Sequence, residues 1–269
     1  MSVDPHQLLD LAVELTERAG RLARDTREQA ITEVDTKSTP TDVVTAADRA
    51  AERLVVEGLR EARPGDSVLG EESGSHSPSA PGPGSVRWIL DPIDGTVNYL
   101  YGLPQYAVSL AAEVDGVVVA GVVRNPASGE LYTAVRGDGA YRDGARLSCS
   151  GATRLDRALV GTGFAYDRER RARQARLVAD LLPEVRDIRR FGAAALDLCF
   201  VAEGRLDAYF ERGLHPWDHA AGALVAVEAG ARVGGLHGAP AGEDLVLAAA
   251  PALFDTLHAQ LVTLGAERI

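Results

Sequence analysis

Hydrophobic positions near the start of the chain repeat with helical spacing. The pattern predicts an amphipathic helix from Val3 to about Glu28 and a second helix from about Thr45 to Ala62, which Pro64 and Gly65 end. The segment between them, Thr32 to Asp42, is polar and contains a proline, which is typical of a loop or an irregular hairpin. The apolar side of the first helix consists of Leu8, Leu11, Ala12, Leu15, Ala19, Leu22 and Ala23.

The next ninety residues contain short apolar runs of strand length. Val108–Val114 and Val117–Arg124 flank Asp115 and Gly116, a dipeptide that favours a tight hairpin turn. Ser73 to Ser85 is rich in serine, proline and glycine, and this composition predicts a flexible linker. Further strands are predicted at Val68–Leu69, Val86–Leu90, Leu131–Val135 and Ala140–Arg142.

Strand-like and helix-like segments alternate in the second half of the chain. Strands are predicted at 159–163, 187–190, 207–211 and 246–249, and helices at 168–182, 192–203, 216–229 and 251–264. Mixed sheets covered by helices indicate an α+β or α/β fold. The length suits a single domain over 1–269, with a soft internal division near residue 150. The division separates an N-terminal α+β half, 1–150, from a C-terminal α/β half, 151–269.

Composition narrows the class of protein. The chain has 269 residues, 46% of them hydrophobic, and a net charge of −11, so we expect a globular fold without a nucleic-acid or membrane partner. No apolar run approaches the roughly 20 residues of a membrane span, and the N-terminus does not resemble a signal peptide. Cys149 and Cys199 are too few for a disulfide framework. These features together predict a cytoplasmic protein.

Two carboxylates follow directly after a buried strand, in the segment Trp88-Ile-Leu-Asp-Pro-Ile-Asp-Gly-Thr96. Asp91 and Asp94 are close enough to repel each other unless a cation lies between them, and hard cations such as Mg²⁺ bind carboxylate oxygens. For an isolated pair of this kind, a solvated Asx turn at the end of a strand is the more common explanation, because turns are rich in Asp. The preceding buried strand and the Gly-Thr that follows favour a metal site.

Other acids occupy comparable positions. Glu71 and Glu72 follow the strand Val68–Leu69, and Asp218 lies in the first turn of a predicted helix, where it would also interact well with the helix dipole without a metal. Spacing alone does not show that these side chains converge. Lys37 is the only lysine among the 28 lysine and arginine residues, and a compact ammonium could stabilise an acidic cluster or lie on the surface.

Three motifs resemble the inositol monophosphatase family of Mg²⁺-dependent phosphomonoesterases, in particular its bacterial SuhB-like branch. They are WILDPIDGTVNYLYGLP at 88–104, GEES at 70–73 and WDHAAGALVAVEAG at 217–230. The similarity extends over nearly the whole chain and includes 37–42, 44–48 and 189–197. It implies a layered αβαβα sandwich, a homodimer and sensitivity to lithium.

The resemblance also implies roles for individual positions. Two or three Mg²⁺ ions would be held by Glu71, Asp91, Asp94, Asp218 and the carbonyl of Ile93, with Asp91 bridging two of them. Asp48 and Thr96 would form a hydrogen-bonded pair, and Thr96 and Glu71 would activate the attacking water. The backbone N–H groups of Gly95 and Thr96 would bind phosphate, and Lys37 would be an auxiliary residue.

Substrate contacts follow from the same resemblance. Glu211 would accept hydroxyl protons of a polyol, although it could equally be an exposed charge at a strand end. Gly192, Ala193 and Ala194 would leave room for the substrate. Myo-inositol-1-phosphate is therefore the expected substrate, and histidinol phosphate is the alternative. Tyr101 and His219 depart from the residues common in the family and could tune this choice.

Two rival hypotheses remain. The Asp-x-x-Asp-Gly-Thr segment resembles the Asp-x-Asp-Gly-Thr motif of haloacid-dehalogenase-like phosphatases but has one residue too many, and only that chemistry would form a covalent aspartyl-phosphate. The fold could instead serve as a non-catalytic regulatory or binding protein. The presence of all five of Glu71, Asp91, Asp94, Thr96 and Asp218 argues against this second possibility.

Overall fold

Helices and sheets alternate in five layers in a computed structural model, which describes residues 3–32, 34–37, 39–76 and 85–269. The helices are α1 (Pro5–Ala30), α2 (Ala46–Ala62), α3 (Thr96–Tyr101), α4 (Arg168–Leu181), α5 (Ala194–Glu203), α6 (Pro216–Glu228) and α7 (Pro251–Thr263). The first strands are β1 (Val34–Thr36), β2 (Val43–Thr45), β3 (Ser67–Gly70), β4 (Gly74–His76), β5 (Val86–Asp94), β6 (Ala107–Val114), β7 (Val117–Arg124) and β8 (Leu131–Val135). The remaining strands are β9 (Gly139–Arg142), β10 (Ala145–Arg146), β11 (Leu159–Thr162), β12 (Asp187–Arg189), β13 (Ala208–Glu211), β14 (Arg232–Gly234) and β15 (Val246–Ala249).

Two sheets form the framework. An eight-stranded sheet has the order β10-β9-β8-β7-β6-β5-β3-β4, and a five-stranded sheet has the order β12-β11-β13-β15-β14. In the first sheet only β3 and β5 pair in parallel, whereas in the second β11 is parallel to both of its neighbours. The eight-stranded sheet uses residues before 150 and the five-stranded sheet uses residues after it.

Alternation along the strands distributes the core over the four interfaces between the five layers. Trp88 and Leu90 of β5 face α1 and α2, whereas Ile89 faces the central helices α5 and α6. Tyr209 of β13 faces the same central helices from the other sheet, and Phe210 points away towards α4 and α7. The predicted αβαβα sandwich is therefore confirmed.

Several predicted boundaries need correction. The residues from Ser73 were predicted to form a flexible linker, but 74–76 form β4, which pairs with β3, and 77–84 lie outside the described residues. Helix α5 begins at Ala194 rather than at Gly192, because Gly192 has a φ of +86°, which a helix does not accommodate. Strand β1 lies in the polar segment after α1 and pairs antiparallel with β2, which begins at Val43, one residue beyond the predicted end of that segment.

Four short elements were not predicted from the sequence pattern. Helix α3 has six residues, too few to show a 3.6-residue period, β4 and β14 have three residues each, and β10 has two. Strand β5 also continues to Asp94 beyond its predicted end at Leu90, with a register shift between Asp91 and Asp94. Among the described residues, no helix is both long and apolar enough to span a membrane.

Candidate active site

A cavity of about 530 Å³ opens where the ends of β3, β5 and β13 meet the starts of α5 and α6. Five acids of the sequence analysis line it, so folding brings together groups that are up to 147 positions apart in the chain (218 minus 71). These are Glu71, Asp91, Asp94, Glu211 and Asp218. We refer to Glu71, Asp91, Asp94 and Asp218 as the acid cluster.

The end of β5 is shaped by local hydrogen bonds. Asp91 Oδ1 accepts the N–H of Ile93 at 3.0 Å, which is the Asx turn considered as an alternative to a metal site. The turn and a metal site are compatible, because this bond uses one lone pair of one oxygen. Thr96 Oγ1 lies 3.1 Å from the carbonyl oxygen of Ile93 and 3.0 Å from Asp48 Oδ1, to which it donates.

Asp48 supports this turn from helix α2. Its side chain is buried, and Asp48 Oδ2 accepts the N–H of Thr45 at 2.8 Å and the hydroxyl of Thr45 at 2.5 Å. Burial raises the pKa of Asp48, although the hydrogen bonds from Thr45 oppose that shift. Oδ1 is therefore left to hold the Thr96 hydroxyl.

Asp94 joins the two halves of the chain. Its Oδ1 accepts the N–H of Ala194 at 3.2 Å and its Oδ2 accepts the N–H of Ala195 at 2.7 Å, so the carboxylate satisfies the first amides of α5. Burial raises the pKa of Asp94 to about 7, and the charge of Glu71 adds to the shift while the two amides oppose it.

A buried glutamate of α2 holds the turn that carries Glu71. Glu52 Oε2 accepts the N–H of Glu72 at 2.9 Å, and Oε1 accepts the N–H of Ser73 at 2.8 Å. A Cβ at Gly70 would lie 2.6 Å from Glu52 Oε2, so glycine is required for this close approach. The sequence analysis missed Glu52, although a glutamate one helical turn after Asp48, on the apolar side of α2, was an available signal.

Lys37 bridges the two glutamates of this turn. Its Nζ lies 2.7 Å from Glu71 Oε1 and also contacts Glu72 Oε1. Burial alone would lower the pKa of Lys37, but the charges of Glu71 and Glu72 raise it above its usual range. The only lysine of the chain therefore lies against the acid cluster as a cation.

Asp218 reaches the cavity from the first turn of α6. Its Oδ2 accepts the N–H of His215 at 2.6 Å, so the helix-end role considered in the sequence analysis is present. Burial raises the pKa of Asp218 well above its usual range, and the charges of Glu71 and Asp94 add to the shift. Burial also lowers the pKa of the neighbouring His219 to about 4, so this imidazole is neutral at pH 7.

The chemistry of the acid cluster fits a hard cation. Burial raises the pKa of Asp91 well above its usual range, and the charges of Glu71, Asp94 and Asp218 raise it further. Within the described ranges, no three acidic, imidazole or thiol side chains already form a closed metal-binding group. The acid cluster nonetheless consists of carboxylates whose oxygens are metal ligands and whose charges repel one another inside the cavity. A divalent cation would relieve that repulsion.

Of the remaining predicted positions, some line the cavity and others do not. Gly192 and Ala194 line the cavity beside Glu211, whereas Ala193 is buried beneath them and does not line it. Gly95 lines the cavity with a φ of +88°, and a Cβ there would lie 2.9 Å from the carbonyl oxygen of Gln105. Tyr101 does not line the cavity, and 75% of its surface is exposed.

Asn98 was not singled out from the sequence, yet it ties these segments together. Its side-chain amide donates to the carbonyl oxygens of Gln105 and Phe191, both at 2.7 Å. The bond to Phe191 links α3 to the residue before Gly192, and thus holds the end of β5 next to the start of α5.

Comparisons with known proteins were made for the whole chain. The family model described as "Inositol monophosphatase family" matches residues 4–265. A protein of Mycobacterium leprae named inositol-1-monophosphatase is 48% identical over 274 residues, which cover 96% of this chain and 94% of that protein. The solved structure of Mycobacterium tuberculosis SuhB has a TM-score of 0.83 and 43% identity, and the match covers 98% of this chain and 99% of that one.

A further relative carries a different kind of name. A protein of Salmonella typhimurium named Nus factor SuhB is 38% identical over 234 residues, which cover 87% of this chain and 86% of that protein. The relatives of this chain therefore include proteins named for an enzymatic activity and proteins named for a regulatory role.

Proposed function

Because this chain belongs to the inositol monophosphatase family, we propose that it is a Mg²⁺-dependent phosphomonoesterase that hydrolyses a small polyol phosphate. The observation that carries the proposal is the acid cluster, in which two buried carboxylates, Asp91 and Asp94, and two partly buried ones, Glu71 and Asp218, line one cavity beside the Thr96–Asp48 hydrogen bond. The name of the M. leprae relative supports the same activity.

The acid cluster and the carbonyl oxygen of Ile93 would hold the Mg²⁺ ions. When bound, Mg²⁺ neutralises the phosphate ester and lowers the pKa of a water ligand. Two or three ions per site are proposed on the resemblance alone.

The protein groups around this site supply orientation. The Thr96 hydroxyl donates a hydrogen bond to Asp48 Oδ1, so its lone pairs can accept a hydrogen bond from a water molecule. Thr96 and Glu71 would then position the water that attacks phosphorus, and the backbone N–H groups of Gly95 and Thr96 would bind phosphate oxygens. Lys37 would stabilise the charge of Glu71 between reaction cycles.

Glu211 supports a polyol as the other part of the substrate. Its carboxylate lines the cavity and can accept hydrogen bonds from two hydroxyl groups, while Gly192 and Ala194 leave room beside it. We therefore propose myo-inositol-1-phosphate as the substrate, in agreement with the names of the relatives.

The test is release of phosphate in Mg²⁺ from myo-inositol-1-phosphate and from histidinol phosphate, with Asp91→Asn as the inactive control. Preference for the inositol ester, lost in the variant, is the expected result. Preference for histidinol phosphate would keep the mechanism and change the substrate. Equal background rates for wild type and D91N on both esters would favour the regulatory role suggested by the Salmonella relative.

Three further properties are proposed from the family resemblance. They are a homodimer, inhibition by lithium and a cytoplasmic location. Sedimentation equilibrium tests the dimer, and the same phosphate-release assay with added LiCl tests the inhibition.

A further inference from the structure

Glu211 has a tyrosine beside it on the same strand. Tyr209 and Glu211 are two residues apart in β13, so their side chains share one face of the sheet. The Tyr209 side chain is fully buried, and its hydroxyl donates a hydrogen bond of 2.6 Å to Glu211 Oε2. Oε1 does not take part in this bond.

Strand β11 and the residue directly after it leave space for both side chains, because glycine occupies two alternate positions there. Gly161 of β11 is the register partner of Tyr209, and Gly163 follows two residues later. A Cβ at Gly163 would lie 1.8 Å from Glu211 Oε2 and 2.3 Å from Oε1, so any other residue would displace the carboxylate. A Cβ at Gly161 would lie 3.2 Å from the ring of Tyr209. We call Gly161, Gly163, Tyr209 and Glu211 the Glu211 cradle.

The charges around the Glu211 cradle act on the carboxylate in opposite directions. Arg170 and Arg190 line the cavity and attract Glu211, whereas Asp197, which has a buried and unpartnered Oδ1 within the described residues, is close enough for mutual repulsion. These interactions act at longer range and have little directional preference. The hydrogen bond from Tyr209 is the short, directional contact that can select one orientation.

We propose that Tyr209 is a positioning residue for substrate specificity, because its hydroxyl holds one oxygen of Glu211 over Gly163 and leaves the other free to accept a substrate hydroxyl. The inference rests on the proposed polyol phosphatase function. It assigns Tyr209 no part in the attack on phosphorus, so the effect should depend on the hydroxyl groups of the ester.

The test compares Tyr209→Phe with Tyr132→Phe. Tyr132 is an equally buried tyrosine whose hydroxyl lies 3.1 Å from Glu203 Oε2, and it does not line the cavity, so it loses the same type of bond elsewhere. Each variant is assayed in Mg²⁺ with myo-inositol-1-phosphate and with p-nitrophenyl phosphate, which has no ring hydroxyls. Glu211→Gln is the reference for loss of the contact.

We expect Y209F to raise KM for myo-inositol-1-phosphate roughly 10- to 100-fold, the range given by loss of a hydrogen bond to a charged group. KM and kcat for p-nitrophenyl phosphate should stay within about twofold of wild type, and Y132F should change neither substrate. Equal losses on both esters would show a general structural defect and would overturn the proposal. Kinetics of Y209F equal to those of Y132F would overturn it as well.

Failure of the proposed function gives a different result. If Glu211→Gln leaves KM for the inositol ester unchanged, the substrate assignment of Glu211 is wrong, whatever Tyr209 does. A crystal structure of Y209F then decides the positioning role without any assay, since a Glu211 carboxylate that stays over Gly163 would overturn it.

Gly163→Ala is a second variant, which displaces the Glu211 carboxylate by steric clash and leaves the Tyr209 hydroxyl in place. It should raise KM for the inositol ester selectively, as Y209F does, because the carboxylate must leave its place. Gly65→Ala is the matched control, since a Cβ there meets no atom within 4 Å. A G163A enzyme with wild-type KM values would contradict the cradle.

Discussion

The acid cluster and the Glu211 cradle line the same cavity but balance their charges in different ways. In the acid cluster, buried carboxylates repel one another, and backbone amides hold Asp91, Asp94 and Asp218 in spite of that repulsion. In the cradle, a single carboxylate has a hydroxyl donor and two arginines in its neighbourhood. Beyond the Lys37 ammonium, the cation that would balance the acid cluster is the proposed Mg²⁺ from outside, whereas the cradle has its hydrogen-bond donor and its arginines within the protein.

This difference suits the acid cluster to the chemistry of phosphate release and the Glu211 cradle to recognition of the substrate. A site that needs a divalent cation is suited to neutralising a phosphate ester, and any ester can profit from it. The Glu211 cradle already has its hydrogen-bond donor and its arginines, so it offers the substrate only a carboxylate oxygen in a defined position. Such an acceptor is suited to distinguishing the alcohol parts of different phosphate esters. The two regions should therefore respond differently to substitution.

The largest effect is expected from removing one charge of the acid cluster. Asp91→Asn should lower kcat for phosphate release by about 10³-fold or more, because metal stabilisation of the transition state is worth several kcal/mol. The same variant should melt at a higher temperature in EDTA, since one of the mutually repelling charges is gone. Initial rates and thermal melts measure the two changes.

The matched control is Asp255→Asn, which removes a surface carboxylate 2.7 Å from Arg232. It should leave the rate unchanged. If Asp91→Asn keeps more than a tenth of the wild-type rate, the acid cluster does not carry the chemistry, and the proposed division of roles between the acid cluster and the Glu211 cradle is wrong.

A smaller effect is expected from the residue that supports the cluster from behind. Glu52→Gln replaces one acceptor of the Glu72 and Ser73 amides by a donor, so the turn that carries Glu71 should lose its position. We expect affinity for Mg²⁺ to fall about 10- to 100-fold, as is common for residues that orient metal ligands. Calorimetric titration with Mg²⁺ measures this without an assay. Glu57→Gln, an exposed position on the same helix, should bind Mg²⁺ like wild type.

Asn98 holds the end of β5 next to the segment before α5, and its loss should destabilise the fold and disturb the cavity between them. Asn98→Ala leaves the carbonyl oxygens of Gln105 and Phe191 without their donor, which should cost about 1–3 kcal/mol in the free energy of unfolding. Urea unfolding measures the loss. Asn125→Ala, a buried asparagine that bonds Pro104, should also destabilise the protein but leave KM for both esters unchanged. Unchanged urea midpoints for N98A would contradict this linking role.

The smallest effect concerns Asp197, which lies within electrostatic reach of both Glu211 and Asp94. Burial raises the pKa of Asp197 well above the usual range of an aspartate, so the folded state binds a proton that the unfolded state releases, and stability falls as pH rises above about 4. Asp197→Asn removes this loss of stability. It should unfold at higher urea than wild type at pH 8 and at a similar concentration near pH 4.

Asp180→Asn, an exposed substitution on α4, serves as the control and should follow wild type at both pH values. A D197N protein that is less stable than wild type at pH 8 would show that the carboxylate of Asp197 has a stabilising partner.

The sequence pattern predicted the helices and the acids of the acid cluster, and the family resemblance implied the layers and the Asp48–Thr96 pair, but Glu52, Asn98 and Tyr209 were not predicted. Helices α1 and α2 carry a long amphipathic pattern, and the acids of the cluster follow strands or begin a helix, so both are visible in one dimension. Their convergence depends on which strands are neighbours, which no spacing reveals. Glu52 looks like an ordinary helix charge and Tyr209 like an ordinary core residue until their partners are known. That the two halves form one domain remains our proposal, supported by the core shared between the sheets.

The bond between Asp94 and helix α5 has a consequence for protein engineering. One carboxylate belongs to the first half of the chain by sequence and caps a helix of the second half. A chimera that exchanged residues 151–269 for those of a relative would therefore have to keep the backbone position of residues 194 and 195. Otherwise Asp94, a proposed metal ligand, would lose the amides that orient it. Recombination between relatives should succeed only where the contact between Asp94 and the first amides of α5 is preserved.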